Sequence, residues 1–179
     1  MTLPSYAAVV LGTAITYGLL FEVNNLLFSA LTFSAGVNWI FLPSGLRLAF
    51  ILVFGLSGAL GIALASIVTS LLFFFEGDWL SSIVTGLISG GAPLLARKFC
   101  VDFLGLGADL QGLSGAGLLK MAGVFAIISP LMHQLWFVSQ GVTQDFWSST
   151  SAMVVGDLLG SLAVLYIARW AMLARRQKI

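Results

Sequence analysis

From residue 48 to residue 75 the chain passes 28 consecutive positions without a charged side chain. A run of that length with no charge fits the hydrocarbon of a bilayer, where every backbone polar group must be paired internally and only helices or closed barrels span. The rest of the chain has the same character. Of 179 residues, 59% are hydrophobic and 8% charged, against roughly a quarter charged in an average soluble domain. That leaves too little polar surface to cover one compact soluble domain, and the combination is the opposite of what disorder requires. The composition predicts a single all-α domain, a polytopic transmembrane helix bundle.

Spanning needs about 20 apolar residues in a helix. Six windows meet this, at about 5–33, 37–56, 58–75, 79–96, 114–138 and 148–173. The uncharged run could also form one tilted helix of about 42 Å, which reduces the count to five. Two helices are preferred, because Gly55-Leu56-Ser57-Gly58 suits a tight hairpin and a ~42 Å apolar helix overshoots a ~30 Å core. The first window lacks the basic start of a signal peptide and is expected to be a retained helix.

Arg97-Lys98 and the tail Arg175-Arg176-Gln177-Lys178 mark the cytoplasmic side, and Glu76, Asp78 and Asp145 the outer side. With six helices both ends of the bundle's chain are expected inside a bacterial inner membrane. The glycine-punctuated stretch 99–113, with its acids Asp102 and Asp109, is expected to lie along the inner surface. Lys120 and Arg169 are read as snorkelling anchors, and Trp39, Trp79, Trp136, Trp147 and Trp170 as an aromatic belt. Small residues at Gly86, Gly90, Gly91, Gly156, Gly160 and Ser161 predict close helix packing.

A net charge of +1 leaves no basic surface for nucleic acid. One cysteine, Cys100, and one histidine, His133, exclude an internal disulfide and a multi-histidine metal site. There is no nucleophile with an adjacent base, no phosphate loop and no dinucleotide fingerprint, so neither catalytic residues nor a cofactor are expected.

An ionisable side chain at mid-membrane costs at least ~2.5 kcal/mol and needs a partner or a purpose. Glu22 (beside Asn24 and Asn25), Arg47 and Asp157 fall at such depths, all in the outer half, where Arg47 could pair with Asp157 or Glu22. One reading is a structural ion pair that sets helix register. The other is a ligand site open to the outside, in which the guanidinium fork receives an anion or polar headgroup. Pro43-Ser44-Gly45 adds a second choice, since it either breaks a crossing helix to build a site or places Pro43 in the first turn of a helix starting at Ser44. The candidate site is Trp39, Pro43, Ser44, Gly45, Arg47 and Asp157, with Glu22 and Asn25. His133 and Gln134 read as an interfacial polar cap.

The segment Trp39-Ile40-Phe41-Leu42-Pro43-Ser44-Gly45-Leu46-Arg47-Leu48-Ala49, with Gly55 and Gly61, and the segment Val155-Gly156-Asp157-Leu158-Leu159-Gly160 resemble two elements of the bacterial membrane-associated sensor domain MASE1. The resemblance implies an integral sensory domain that serves a cytoplasmic kinase or cyclic-di-GMP enzyme. The sequence departs from that pattern in lacking a basic residue between Gly55 and Gly58 and in ending shortly after the last helix. It is therefore expected to bind a small ligand or partner helix and to signal through a partner protein. Two alternatives are a substrate-binding membrane component of a vitamin-type uptake system and an accessory subunit of a larger membrane complex.

Overall fold

The computed structural model describes residues 3–107 and 114–176, with side chains through residue 167. The order of elements is α1 (Leu3–Phe28), a 3-10 turn (Ser29–Leu31), β1 (Thr32–Ser34), β2 (Val37–Asn38), α2 (Pro43–Phe54), α3 (Leu56–Phe73), α4 (Trp79–Leu104), α5 (Gly115–Ser139) and α6 (Phe146–Arg176). Five of the six helices are long and apolar enough to cross a membrane, and α2 is not. The chain is a polytopic helix bundle. Asp109, Arg169, Trp170, Arg175, Arg176 and Lys178, to which the sequence gives surface or anchoring places, lie outside the described side chains.

Helices α1 and α3 run parallel, with Gly61 against Val10 and Thr13 at one level and Phe21 against Phe73 at another. Helix α4 returns antiparallel to α3, α5 rises beside α4, and α6 descends. One end of the bundle therefore holds the β1–β2 hairpin together with the 74–78 and 140–145 turns. We call it the hairpin end. It carries Glu76, Asp78 and Asp145, while Arg97, Lys98 and Lys120 stand at the opposite end. Exposed Trp79 and Trp147 ring the hairpin end, as lipid-interface anchors do.

The second crossing differs from the expected helix over 37–56. Residues 37–42 form no helix and lie along α6, with 37–38 in a strand and Leu42 already turning, and only from Pro43 does the chain coil, for 12 residues or about 18 Å. Pro43 sits at the first helical position, where its missing N–H has no partner to lose. Non-helical backbone at membrane depth requires partners, and this segment has them: Trp39 N–H donates to the Leu31 carbonyl, Phe41 N–H to the Gly156 carbonyl, and Leu42 N–H to Asn24 Oδ1 at 2.9 Å. The strand pair departs from the sequence reading, in which Thr32 and Phe33 end one apolar window and Val37 and Asn38 open the next.

At the bottom of α2 the chain reverses at Gly55, whose φ of 56° suits glycine, and α3 starts at the next residue. The uncharged run is thus two helices. Helix α4 continues past Arg97-Lys98 to Leu104, because Cys100 keeps its inner face buried and Lys98 pairs with Asp102 one turn on. This corrects the expectation of a surface-lying stretch beginning at residue 99. Asp78 caps α4 through Ser81 N–H, and Asp145 accepts from Ser148 N–H and Oγ at the start of α6. These hydrogen bonds hold both carboxyls below their ordinary pKa.

Candidate functional site

The two glycines of the Gly156-Asp157-Leu158-Leu159-Gly160 segment let the extended stretch approach α6. A Cβ on Gly156 would fall on the Asn38 carbonyl oxygen, and one on Gly160 on the Phe41 carbonyl oxygen. Gly45 leaves similar room for Gly160 and Val164. Ser44 Oγ, fully buried, lies 2.8 Å from the carbonyl oxygens of Phe41 and Asp157, and so ties the start of α2 to α6. The Pro43-Ser44-Gly45 and Gly156–Gly160 segments, far apart in sequence, form one seam.

One turn along α2 from that seam, Arg47 points across the bundle. It is 2% exposed. Its Nε donates to Tyr17 Oη at 3.2 Å and its Nη1 to Ser129 Oγ at 3.3 Å, which leaves the rest of its N–H fork unused. The guanidinium carbon stands 5.0 Å from the Phe41 ring centre and 5.9 Å from that of Tyr17, within cation–π range. Among the described residues no carboxylate oxygen lies within 4.0 Å of it; the ion pair found there is Lys98–Asp102. The expected pairs Arg47–Asp157 and Arg47–Glu22 do not form.

Arg47 borders a chamber in the half of the bundle nearest the hairpin end. All six helices contribute to its wall. Helix α3 supplies Ser66, Thr69 and Ser70, α4 supplies Thr85 and Ser89, and α5 supplies His133. Aromatic rings from Phe21, Phe41, Phe74 and Phe137 complete it. The space open to the centre of a water-sized sphere is about 30 Å³, room for roughly two waters by the usual requirement of 10–15 Å³ each. No acidic side chain lines it.

His133, 1% exposed, holds a defined position in this wall. Its Nδ1 lies 2.8 Å from the Ser129 carbonyl oxygen, which can only accept, so Nδ1 carries a proton; Nε2 faces Ser89 Oγ at 3.2 Å. Gln134 is also fully buried and reaches Met153 Sδ. Both residues are interior, which corrects their reading as an interfacial cap. The turn-by-turn spacing of α5 puts them on the face toward α4 and α6.

The hydroxyls of Ser66 and Thr85, 3% and 6% exposed, find no hydrogen-bond partner among the described residues. Asp157 is fully buried on α6, and its carboxyl oxygens have none either among the described residues. Of the expected site residues, Ser44, Gly45, Pro43 and Asp157 meet at the seam, and Arg47 reaches the chamber. Trp39 lies on the bundle's exterior, 40% exposed and edge-on to Phe33. Glu22 faces outward on α1, and Asn25 is half-buried. It is the neighbouring Asn24 that holds the extended segment. The chamber hydroxyls escaped the sequence reading, although Ser66, Thr69 and Ser70, and Thr85 and Ser89, recur at helical spacing and could have shown a polar stripe.

Fold and site together define a multi-pass helical membrane protein with a discontinuous second crossing and a small, positively charged polar chamber. No family model matches the chain, and no curated protein or solved structure matches it.

Proposed function

We propose that the chain is a sensor-type domain of a bacterial inner membrane, which binds a small solute in the chamber and passes its occupancy to a partner protein. The observation that carries this reading is Arg47: a buried guanidinium with no acidic partner in contact, with part of its donor fork unused beside unpartnered hydroxyls. Ionisable groups held in a bundle interior mark ligand or ion sites more often than they serve packing alone. The resemblance of residues 39–49 and 155–160 to the MASE1 sensor domain supports the same reading, as does the seam those segments share. The charge asymmetry between the ends supports an orientation with the hairpin end outside and both helix termini at the other end inside. A chamber of about 30 Å³ favours a small solute over a vitamin-sized cargo.

Purification in mild detergent, followed by identification of the bound proteins and solutes, tests the proposal. A co-purifying kinase or cyclase supports it. Transport ATPase subunits in its place would move the chain to the uptake class. In the first case Arg47→Gln is expected to abolish the solute-dependent change in partner activity while the protein remains membrane-inserted.

A further inference from the structure

We infer that the chamber is a site for a small monovalent anion, of the size and shape of formate, nitrite or chloride. This rests on the ligand-site reading above and names the chemical class of the ligand. Four observations carry it. Arg47 is the one permanently charged group in the wall, and no carboxylate lines the space. The nearest buried acid, Asp157, sits on α6 outside the lining and makes no ion pair with Arg47. Of the other polar side chains that face the space, Ser66, Thr69, Ser70, Thr85, Ser89 and Tyr17 carry hydroxyls that can donate, and the acceptor His133 Nε2 is matched by Ser89 Oγ at 3.2 Å. Two of these, Ser66 and Thr85, are more than nine-tenths buried and unpartnered, so each has an O–H to give.

Charge and size then select the ligand. A guanidinium with spare N–H groups gives its strongest hydrogen bonds to an anionic acceptor, and a planar carboxylate-like anion matches its fork. A cation would meet Arg47 with no compensating charge in the wall. A neutral solute would offer the spare N–H groups only a weaker, uncharged acceptor. The volume admits about two water-sized bodies, which excludes phosphate esters and sugars. The aromatic rings at the sides complete the apolar part of the wall.

The test is thermal unfolding of the full chain in detergent with sodium formate or nitrite, at ionic strength held constant with gluconate, which is too bulky to enter. Formamide serves as the neutral counterpart of formate. The expected result is a saturable rise in unfolding temperature with formate and nitrite, absent with formamide, and lost in Arg47→Gln. Thr85→Val keeps the side-chain shape and removes one donor, and should weaken formate about fivefold, the equivalent of one ordinary hydrogen bond. It keeps the test decisive if Arg47→Gln does not fold. An equal rise with formamide, or a formate affinity unchanged in Thr85→Val, overturns the anion assignment and leaves the ligand-site reading standing. If no solute of either kind shifts unfolding, the chamber holds water only, and both readings fall.

Discussion

The same pair of helices, α3 and α4, builds two different interiors. Toward the hairpin end they face each other with Ser66, Thr69, Ser70, Thr85 and Ser89, and a chamber opens between them. Toward the other end they close up: a Cβ on Gly90 would fall on the Ala59 carbonyl oxygen, and Ala92, Ala96 and Cys100 pack with Leu48, Met121 and Phe125. In lipid there is little hydrophobic gain from joining two apolar helices, so contact depends on small side chains that let backbones approach. Alanine and glycine supply that contact at one end. Toward the hairpin end the two helices still touch on one side, where a Cβ on Gly86 would fall on Ile67 and the Ala63 carbonyl oxygen, and the hydroxyl side chains line the space beside that contact. The half that holds the chamber is loose at its centre, with tight backbone contacts around it at Gly86 and at the seam.

The largest effect should come from the seam that holds the loose half open. Gly160→Ala places a methyl on the Phe41 carbonyl, where backbone meets backbone, and should destabilise the protein by roughly 3 kcal/mol. Unfolding by a denaturing detergent measures it, and wild-type stability would show that the extended segment can move off α6. Next, Ala92→Leu overfills the tight half and is expected to cost about 2 kcal/mol. Ser66→Ala, in the loose half, removes a buried hydroxyl without a protein partner and in solute-free buffer should be neutral or stabilising by up to about 1 kcal/mol. If both changes cost the same, the contrast between the halves is lost.

The smallest effect concerns the exposed caps at the hairpin end. Asp78 and Asp145 have folded-state pKa values lowered by their serine hydrogen bonds, so their contribution is complete above the unfolded value of 3.8 and disappears as pH falls through the folded values below it. Acid titration of wild type against Asp145→Asn should show convergence of the two stabilities in that low range. A gap that persists at the acid end would mean the cap does not act through the carboxylate.

Much of the fold could be read directly. The apolar windows located the five long helices, although α4 runs eight residues past its window to Leu104, and the Gly55 turn divided the 48–75 run as the glycine pair suggested. The extended segment could not be read, because residues 37–42 are as apolar as a helix and only the distant carbonyl of Gly156 and side chain of Asn24 make their conformation affordable. Arg47 stood out for the same reason that it matters, the cost of charge in lipid. Glu22 stood out equally, and nothing local distinguishes it: one side chain points into the bundle and the other away. His133 looked like a helix-end residue until the rotation of α5 was known.

Composition and the spacing of charges were enough to determine a helical membrane bundle, the approximate places of its five long helices, and which few residues are costly to keep there. Those are properties of each segment against its solvent. Which costly residues share a chamber, and which glycines carry backbone contacts, depended on how the helices rotate and which carbonyls the extended crossing lies against. Such contacts join residues more than a hundred positions apart, as Ser44 joins Asp157, and their energy exists only once the helices have packed.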